Sequence, residues 1–295
     1  MAQLLQKVKS KMFIFAHRKA RGMLDGEYDA IFRGRSLDFD DLRAYVPGDE
    51  IRDIDWKATA RHGAPLIKRY VAVRKQSVLL VADTGRNMAA VAGGGEPKKD
   101  IMVMALGVIG YLALKHNDTV GLVYGDADAT TAIPARGTEG HLESILQRVD
   151  SSTTLEAGSS NLIAQLEYIA KNIRQRRLIF VVADEHPVSP ELERLLRRLR
   201  AQHELLWLVI SDADLAHGEA LLRESFDVHR RDTVVSLLAK DPQLAAAYAE
   251  AVQKRREDIE QLMSRQAIPL EWLGHSEEVM STLFSLLERQ RRARR

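Results

Sequence analysis

Cysteine is absent from the chain, which removes disulfide scaffolds, thiolate zinc or iron–sulfur sites and any cysteine nucleophile. Proline is scarce, at 8 residues in 295, which sets aside collagen-like and proline-rich low-complexity classes. No excess of one charge sign marks a polyanion binder, since 43 basic side chains face 41 acidic ones. Long apolar runs are missing too. The longest, Ile101 to Leu114, falls short of the ~20 residues a membrane-spanning helix needs and is bracketed by Lys98, Lys99 and Lys115, so it reads as a buried core helix. The first residues lack both an uninterrupted apolar core and a small-residue cleavage site, so no secretory signal is read there and a cytoplasmic protein is expected. No Gly-x-Gly-x-x-Gly, Walker-type, Gly-x-Ser-x-Gly or His-Glu-x-x-His motif occurs, and no two of the 9 histidines stand at helical i, i+4 spacing, which weakens nucleotide, hydrolase and zinc readings.

What is present suffices for one large domain with a small appendage: 45% hydrophobic and 28% charged residues. Residues 1–76 hold 16 basic and 10 acidic side chains, whereas the remainder is net acidic, which suggests a boundary near residue 76. We expect a basic helical segment over 1–24, a β-rich appendage over 25–76, the main domain over 77–291 and a basic tail over 292–295. The C-terminal arginines offer two readings, contact with nucleic acid or acidic lipid and a solvated helix end suited to the helix dipole. We favour the second and expect no nucleic-acid partner; membrane contact would be peripheral, through the basic termini.

From residue 77 onward, short β-branched runs alternate with helical segments, the pattern of βαβ units around a mostly parallel sheet. Strands are expected at 77–83, 119–124, 130–133, 178–183, 204–210 and 268–273, with helices at 98–116, 138–149, 161–174, 189–202, 241–265 and 276–291. In such sheets ligands sit beyond the carboxyl ends of the strands where strand order reverses. Three stretches qualify: Asp83 to Met88 after the first strand, Gly158 to Asn161 before a helix, and Asp184-Glu185 after the strand at 178–183. Their carboxylates and neutral oxygens suit a hard divalent ion such as Mg²⁺, although each piece alone is also an ordinary helix cap. Histidines 17, 62 and 186 are left as surface or turn residues.

Upstream, Pro47 to Arg61 reads PGDEIRDIDWKATAR, with Pro47, Gly48, Asp49, Arg52, Asp55, Trp56 and Arg61 as its most distinctive positions. Either this segment lines a site or docks a partner, or Arg52 and Arg61 pair with its carboxylates to pin the appendage, with Trp56 as the appendage's core. The segment resembles the bacterial family catalogued as domain of unknown function fifty-eight, and the downstream alternation resembles a von Willebrand factor A domain, together over roughly residues 10–290. The resemblance implies an α/β fold of von Willebrand A type and a metal-ion-dependent adhesion site. In that site Asp83 stands for the first aspartate, Asp184 for the later one and Ser160 for the directly coordinating hydroxyl. Gly85 stands where the first serine of the motif belongs and Asn87 where the second does, so the site is degenerate and Mg²⁺ is expected to be weak or absent. If Gly85→Ser tightened Mg²⁺ binding, the missing hydroxyl would be the cause, and Arg86, within the same loop, could pair with a partner's carboxylate. The resemblance further implies a non-enzymatic protein-binding module that works with a MoxR-type AAA+ ATPase in chaperone-like or complex-maturation roles. The alternative is a metal-dependent phosphohydrolase using Asp83, although Gly85 sits where such chemistry wants a second aspartate.

Overall fold

The computed structural model describes residues 3–18, 38–71, 76–213, 225–227, 232–234 and 241–293. By its internal packing the chain divides into two units, Phe32–Gln76 and the remainder.

The larger unit is built on a six-stranded sheet. Its strands are β3 (Ser77–Asp83), β4 (Thr119–Gly125), β5 (Thr130–Arg136), β6 (Leu178–Ala183), β7 (Glu204–Ile210) and β10 (Leu270–Leu273), in the order β10-β7-β6-β3-β4-β5. All neighbours run parallel except β5, which pairs antiparallel with β4 at the edge. The edge is where Pro134 costs least, because a proline cannot donate to a ladder on both sides. Central strands β3, β6 and β7 are apolar and buried almost end to end, as strands covered on both faces must be. Strand order reverses between β3 and β6, so the crevice of the doubly wound arrangement opens at their carboxyl ends.

Helices cover both faces. Helix α1 (Leu4–Arg18) buries Leu5 and Val8, and the Glu143 carboxylate accepts hydrogen bonds from the free Leu4 and Leu5 amides of its first turn. The run at 98–116 forms α3 (Lys98–Lys115), apolar on every side and buried nearly throughout, as the sequence implies. Helices α4 (Glu139–Ser152) and α5 (Leu162–Asn172) are capped by Thr138 and Asn161. Helix α6 (Pro190–Gln202) starts at the Ser189 cap with Pro190 in its first turn and presents Leu192, Leu195, Leu196 and Leu199 as one apolar stripe. Helix α7 (Pro242–Arg265) is exposed along its first two thirds and buried only near Ile259, Leu262 and Met263. In α8 (Val279–Ala293), Arg289 pairs with Glu271 and Arg292 with Glu288. Among the described residues, no helix is long and apolar enough to cross a membrane. Two short strands, β8 (Ser225–Asp227) and β9 (Asp232–Val234), pair antiparallel with each other.

The smaller unit has one antiparallel pair, β1 (Asp38–Ala44) with β2 (Leu66–Val71), and a short helix, α2 (Trp56–His62). The distinctive segment lies between the strands and each residue's local task is visible. Pro47 and Gly48 occupy the centre of a turn closed by the Asp49 amide on the Val46 carbonyl, and Gly48 takes φ +111°, which favours glycine. The Asp49 carboxylate receives both terminal nitrogens of Arg43, at 2.8 and 2.6 Å, and Asp55 caps α2 by accepting from the Lys57 and Ala58 amides. Two details of the pinning reading are corrected. Trp56 is no core residue, being 65% exposed at the first position of a short helix with no buried residues. Arg52 pairs with Glu50, two residues away, in an exposed contact that holds only its own turn, while Arg61 lies exposed on α2.

Candidate functional site

The carboxyl end of the sheet gathers three loops. The loop after β3 is tied to the neighbouring strand by the Thr84 amide on the Gly125 carbonyl, and to the 158–160 loop by the Arg86 amide on Gly158. The turn after β4 is tied to the same loop by the Ala127 amide on Ser159, and the Asp126 carboxylate receives the Gly158 amide at 3.0 Å. Further along, the chain between β3 and α3 crosses to the other half of the sheet, where Ala92 bridges Asp212 and the Gly93 amide reaches the Ser211 carbonyl. These ties place the start of α3 against the ends of β6 and β7.

A cavity of about 480 Å³ results, with Asp83, Asn87, Ser160 and Asp184 in its wall, so all four residues assigned to the degenerate metal site are brought together. Glu185, His186, Asp212 and Arg255 of α7 also line it. His186, set aside on sequence as a turn residue, thus belongs to the site, and burial lowers its pKa.

Asp83 is 2% exposed, and its Oδ1 accepts the Gly85 amide at 2.9 Å. Burial pushes its carboxyl up to about 7, with Asp184 and Asp126 adding to the rise against that amide and the Ser160 hydroxyl. The hydroxyl lies near enough to favour the ionised carboxyl, yet Ser160 Oγ is aligned with no hydrogen-bond partner.

Asp184 carries the contact that sequence reasoning did not foresee. Its Oδ1 accepts the Lys98 ammonium at 2.5 Å and the Glu185 amide at 2.8 Å, and its Oδ2 accepts the Asn87 side-chain amide at 3.3 Å. Lys98 has no solvent-exposed surface, and the same ammonium also binds Asp212, whose side chain remains 51% exposed. Burial pulls the lysine pKa down, but Asp184 and Asp212 together more than offset it, so the ammonium stays charged. Burial likewise lifts the Asp184 pKa, while the ammonium opposes that rise. A cation on the first turn of a helix faces the positive end of the helix dipole, so Lys98 needs both carboxylates to be buried there.

The residues present do not suit a hard divalent ion. Both Asp184 oxygens are taken by N–H donors and Asp83 Oδ1 by the Gly85 amide, while Asn87 Oδ1 and Ser160 Oγ are buried without a hydrogen-bond partner. With the Lys98 ammonium already on Asp184 and Asp212, and burial favouring the protonated form of Asp83, the carboxyl groups here compete poorly with the hydration shell of Mg²⁺. Among the described residues no group of three or more histidine or acidic side chains is arranged to hold a metal ion.

Gly85 is more than a missing hydroxyl. A Cβ there would lie 2.5 Å from the backbone nitrogen and Cα of Ser160, so the close approach of the two loops demands glycine. A serine introduced at position 85 to supply the missing hydroxyl has no room without separating the loops that form the site. Arg86 is turned across the loops, its guanidinium donating to Ser159 Oγ while Nε is buried without a partner.

Sequence comparison places residues 41–258 in the family described as "Protein of unknown function DUF58", narrower than the 10–290 span suggested by the resemblance. An uncharacterized protein of Mycobacterium tuberculosis is 25% identical over 280 residues, covering 93% of this chain and 86% of that protein. Among solved structures, an aerotolerance-related membrane protein from Bacteroides fragilis is similar at TM-score 0.45 and 10% identity, covering 72% of this chain and 98% of that one. A von Willebrand factor type A protein from Catenulispora acidiphila is similar at TM-score 0.39 and 6% identity, over 74% of this chain and 43% of its own. The matched span takes in the segment from Pro47 to Arg61 and the sheet from β3 to β7, and the chain belongs to the DUF58 family of proteins of unknown function.

Proposed function

We propose that the chain is a non-enzymatic protein-binding module of the cytoplasm, that its partner docks at the carboxyl end of the sheet, and that this partner is a MoxR-type AAA+ ATPase. The observation that carries the reading is the cavity at the β3–β6 crossover, where Asp83, Asn87, Ser160 and Asp184 converge. Exposed apolar side chains on the surrounding loops support a protein rather than a small molecule as occupant. Val91 follows β3, Leu155 precedes α5 and Val188 follows β6, each at least about a third exposed. Chemistry finds little support: Asp83 is almost wholly buried, and neither a hydroxyl nucleophile paired with a base nor a fitting metal set accompanies it. Arg86 serves the docking face by bracing the 158–160 loop through Ser159. The ATPase as partner class comes from the family resemblance.

The test is affinity capture of the tagged full chain from its native cell, with Glu185→Arg, which places an opposite charge in the cavity wall, as the comparison. The reading predicts an AAA+ ATPase with the wild type and its loss with the variant. An ATPase retained by Glu185→Arg, or none with the wild type, contradicts it.

A further inference from the structure

The ion cluster at the start of α3 goes beyond this reading. In a metal-dependent adhesion site, the positive charge that lets acidic side chains share a small space comes from a bound divalent ion. Here a side chain already supplies one. Lys98 Nζ lies 2.5 Å from Asp184 Oδ1 and also binds Asp212, with no exposed surface of its own. Asn87 extends its amide nitrogen to the second oxygen of Asp184, so the carboxylate corresponding to the later metal-site aspartate is surrounded by N–H donors. The loop carrying Gly85 closes onto Ser160 as tightly as two backbones allow. These features share one physical consequence: a second cation could reach Asp184 only by displacing a buried ammonium, and the closed loops leave no room at position 85 for a hydroxyl that would help hold it.

We propose that the Lys98 ammonium is the resident cation of this site, taking the charge-compensating place of a divalent ion, so that the site is assembled without metal. The helix that carries it fixes where the lysine starts: the Lys98 amide is anchored on the Ala90 carbonyl and the following three turns of α3 are buried, so its backbone is held beside Asp184 and Asp212. Asp212, half-exposed, forms the solvent side of the cluster, and Asp184 the buried side.

The test rests on metal and stability readouts, so it can fail independently of any partner. The purified full chain is melted in EDTA and in millimolar Mg²⁺ or Mn²⁺, and Mn²⁺ binding is followed by electron paramagnetic resonance, for wild type, Lys98→Ala and Asp184→Asn. We expect the wild type to melt at the same temperature in all three conditions and to bind no Mn²⁺ at the site. Lys98→Ala should melt more than about 5 °C lower in EDTA and regain part of that loss with Mn²⁺, which can then sit between the two freed carboxylates. Should Lys98→Ala fail to fold, Lys98→Met combined with Asp184→Asn and Asp212→Asn removes all three charges together and should fold and ignore metal. Submillimolar Mn²⁺ binding by the wild type that Asp184→Asn abolishes would overturn the proposal. So would a folded Lys98→Ala protein that melts with the wild type.

Discussion

Two clusters of opposite charges sit at opposite extremes of burial. Around the Pro47–Gly48 turn, Arg43 with Asp49 and Arg52 with Glu50 lie in water, and their contacts span six residues or fewer. At the carboxyl end of the sheet, Lys98, Asp184 and Asp212 join chain segments 86 and 114 residues apart, with the lysine entirely buried. In water an ion pair is worth little, because solvent screens each charge well. Out of water, each charge pays a large desolvation cost, and removing one partner leaves the others uncompensated. The contacts of the distinctive segment thus shape a local turn, whereas the cluster at the sheet end joins distant stretches of the chain at the site.

The contrast is sharpest for Lys98. Replacing it by methionine keeps the volume but strands Asp184, and a loss of about 3–5 kcal/mol in chemical denaturation is expected, most of it recovered in the double variant with Asp184→Asn. Next comes Asp83, which burial holds near 7 against an ordinary carboxylate value of 3.8, with Asp184 and Asp126 as the charges facing it. Between those values the folded protein holds a proton that the unfolded chain has lost. Stability from this group therefore falls as pH rises from about 4 to about 7 and levels off above. Asp83→Asn, which can still accept the Gly85 amide, should raise stability at pH 8 by at most roughly 4 kcal/mol, and by clearly less at pH 5. Equal gains at both pH values would show that the carboxyl titrates normally. Gly85→Ser ranks third: its side chain must force the two loops apart at a cost of about 1–3 kcal/mol, with no gain in Mg²⁺ affinity by calorimetry. Smallest is Arg52→Ala in the exposed cluster, for which a change below about 0.5 kcal/mol is expected.

Much of this was legible from sequence. The strand run SVLLVAD ends in an acid and LIFVVA is followed by one, and that pattern alone put Asp83 and Asp184 at the sheet's carboxyl end. The same logic applied to β7 would have found Asp212, two residues past the strand, but Ser211-Asp212 reads as an ordinary turn. Lys98 was hidden for a different reason. A lysine beside a long apolar run looks like a solvated flank, and its burial follows from a crossing loop, tied through Gly93 and Ser211, that no local pattern announces. Gly85 was read as a lost hydroxyl because sequence shows which side chain is missing and not which backbone stands in its place. Trp56 misled in the opposite direction: a tryptophan in a segment poor in apolar residues suggests a core, and a short helix left it in solvent.

The exposed Trp56 and the exposed Val188 also give the most direct test of where a partner meets this protein. A photo-crosslinking amino acid placed at either position in the full chain, in its native cell, reports contact at the distinctive segment or at the sheet's carboxyl end. Our account predicts that position 188 crosslinks to an AAA+ ATPase and that Glu185→Arg abolishes the product. An ATPase crosslinked from position 56 and not from 188 would contradict it and move the docking surface to the smaller unit.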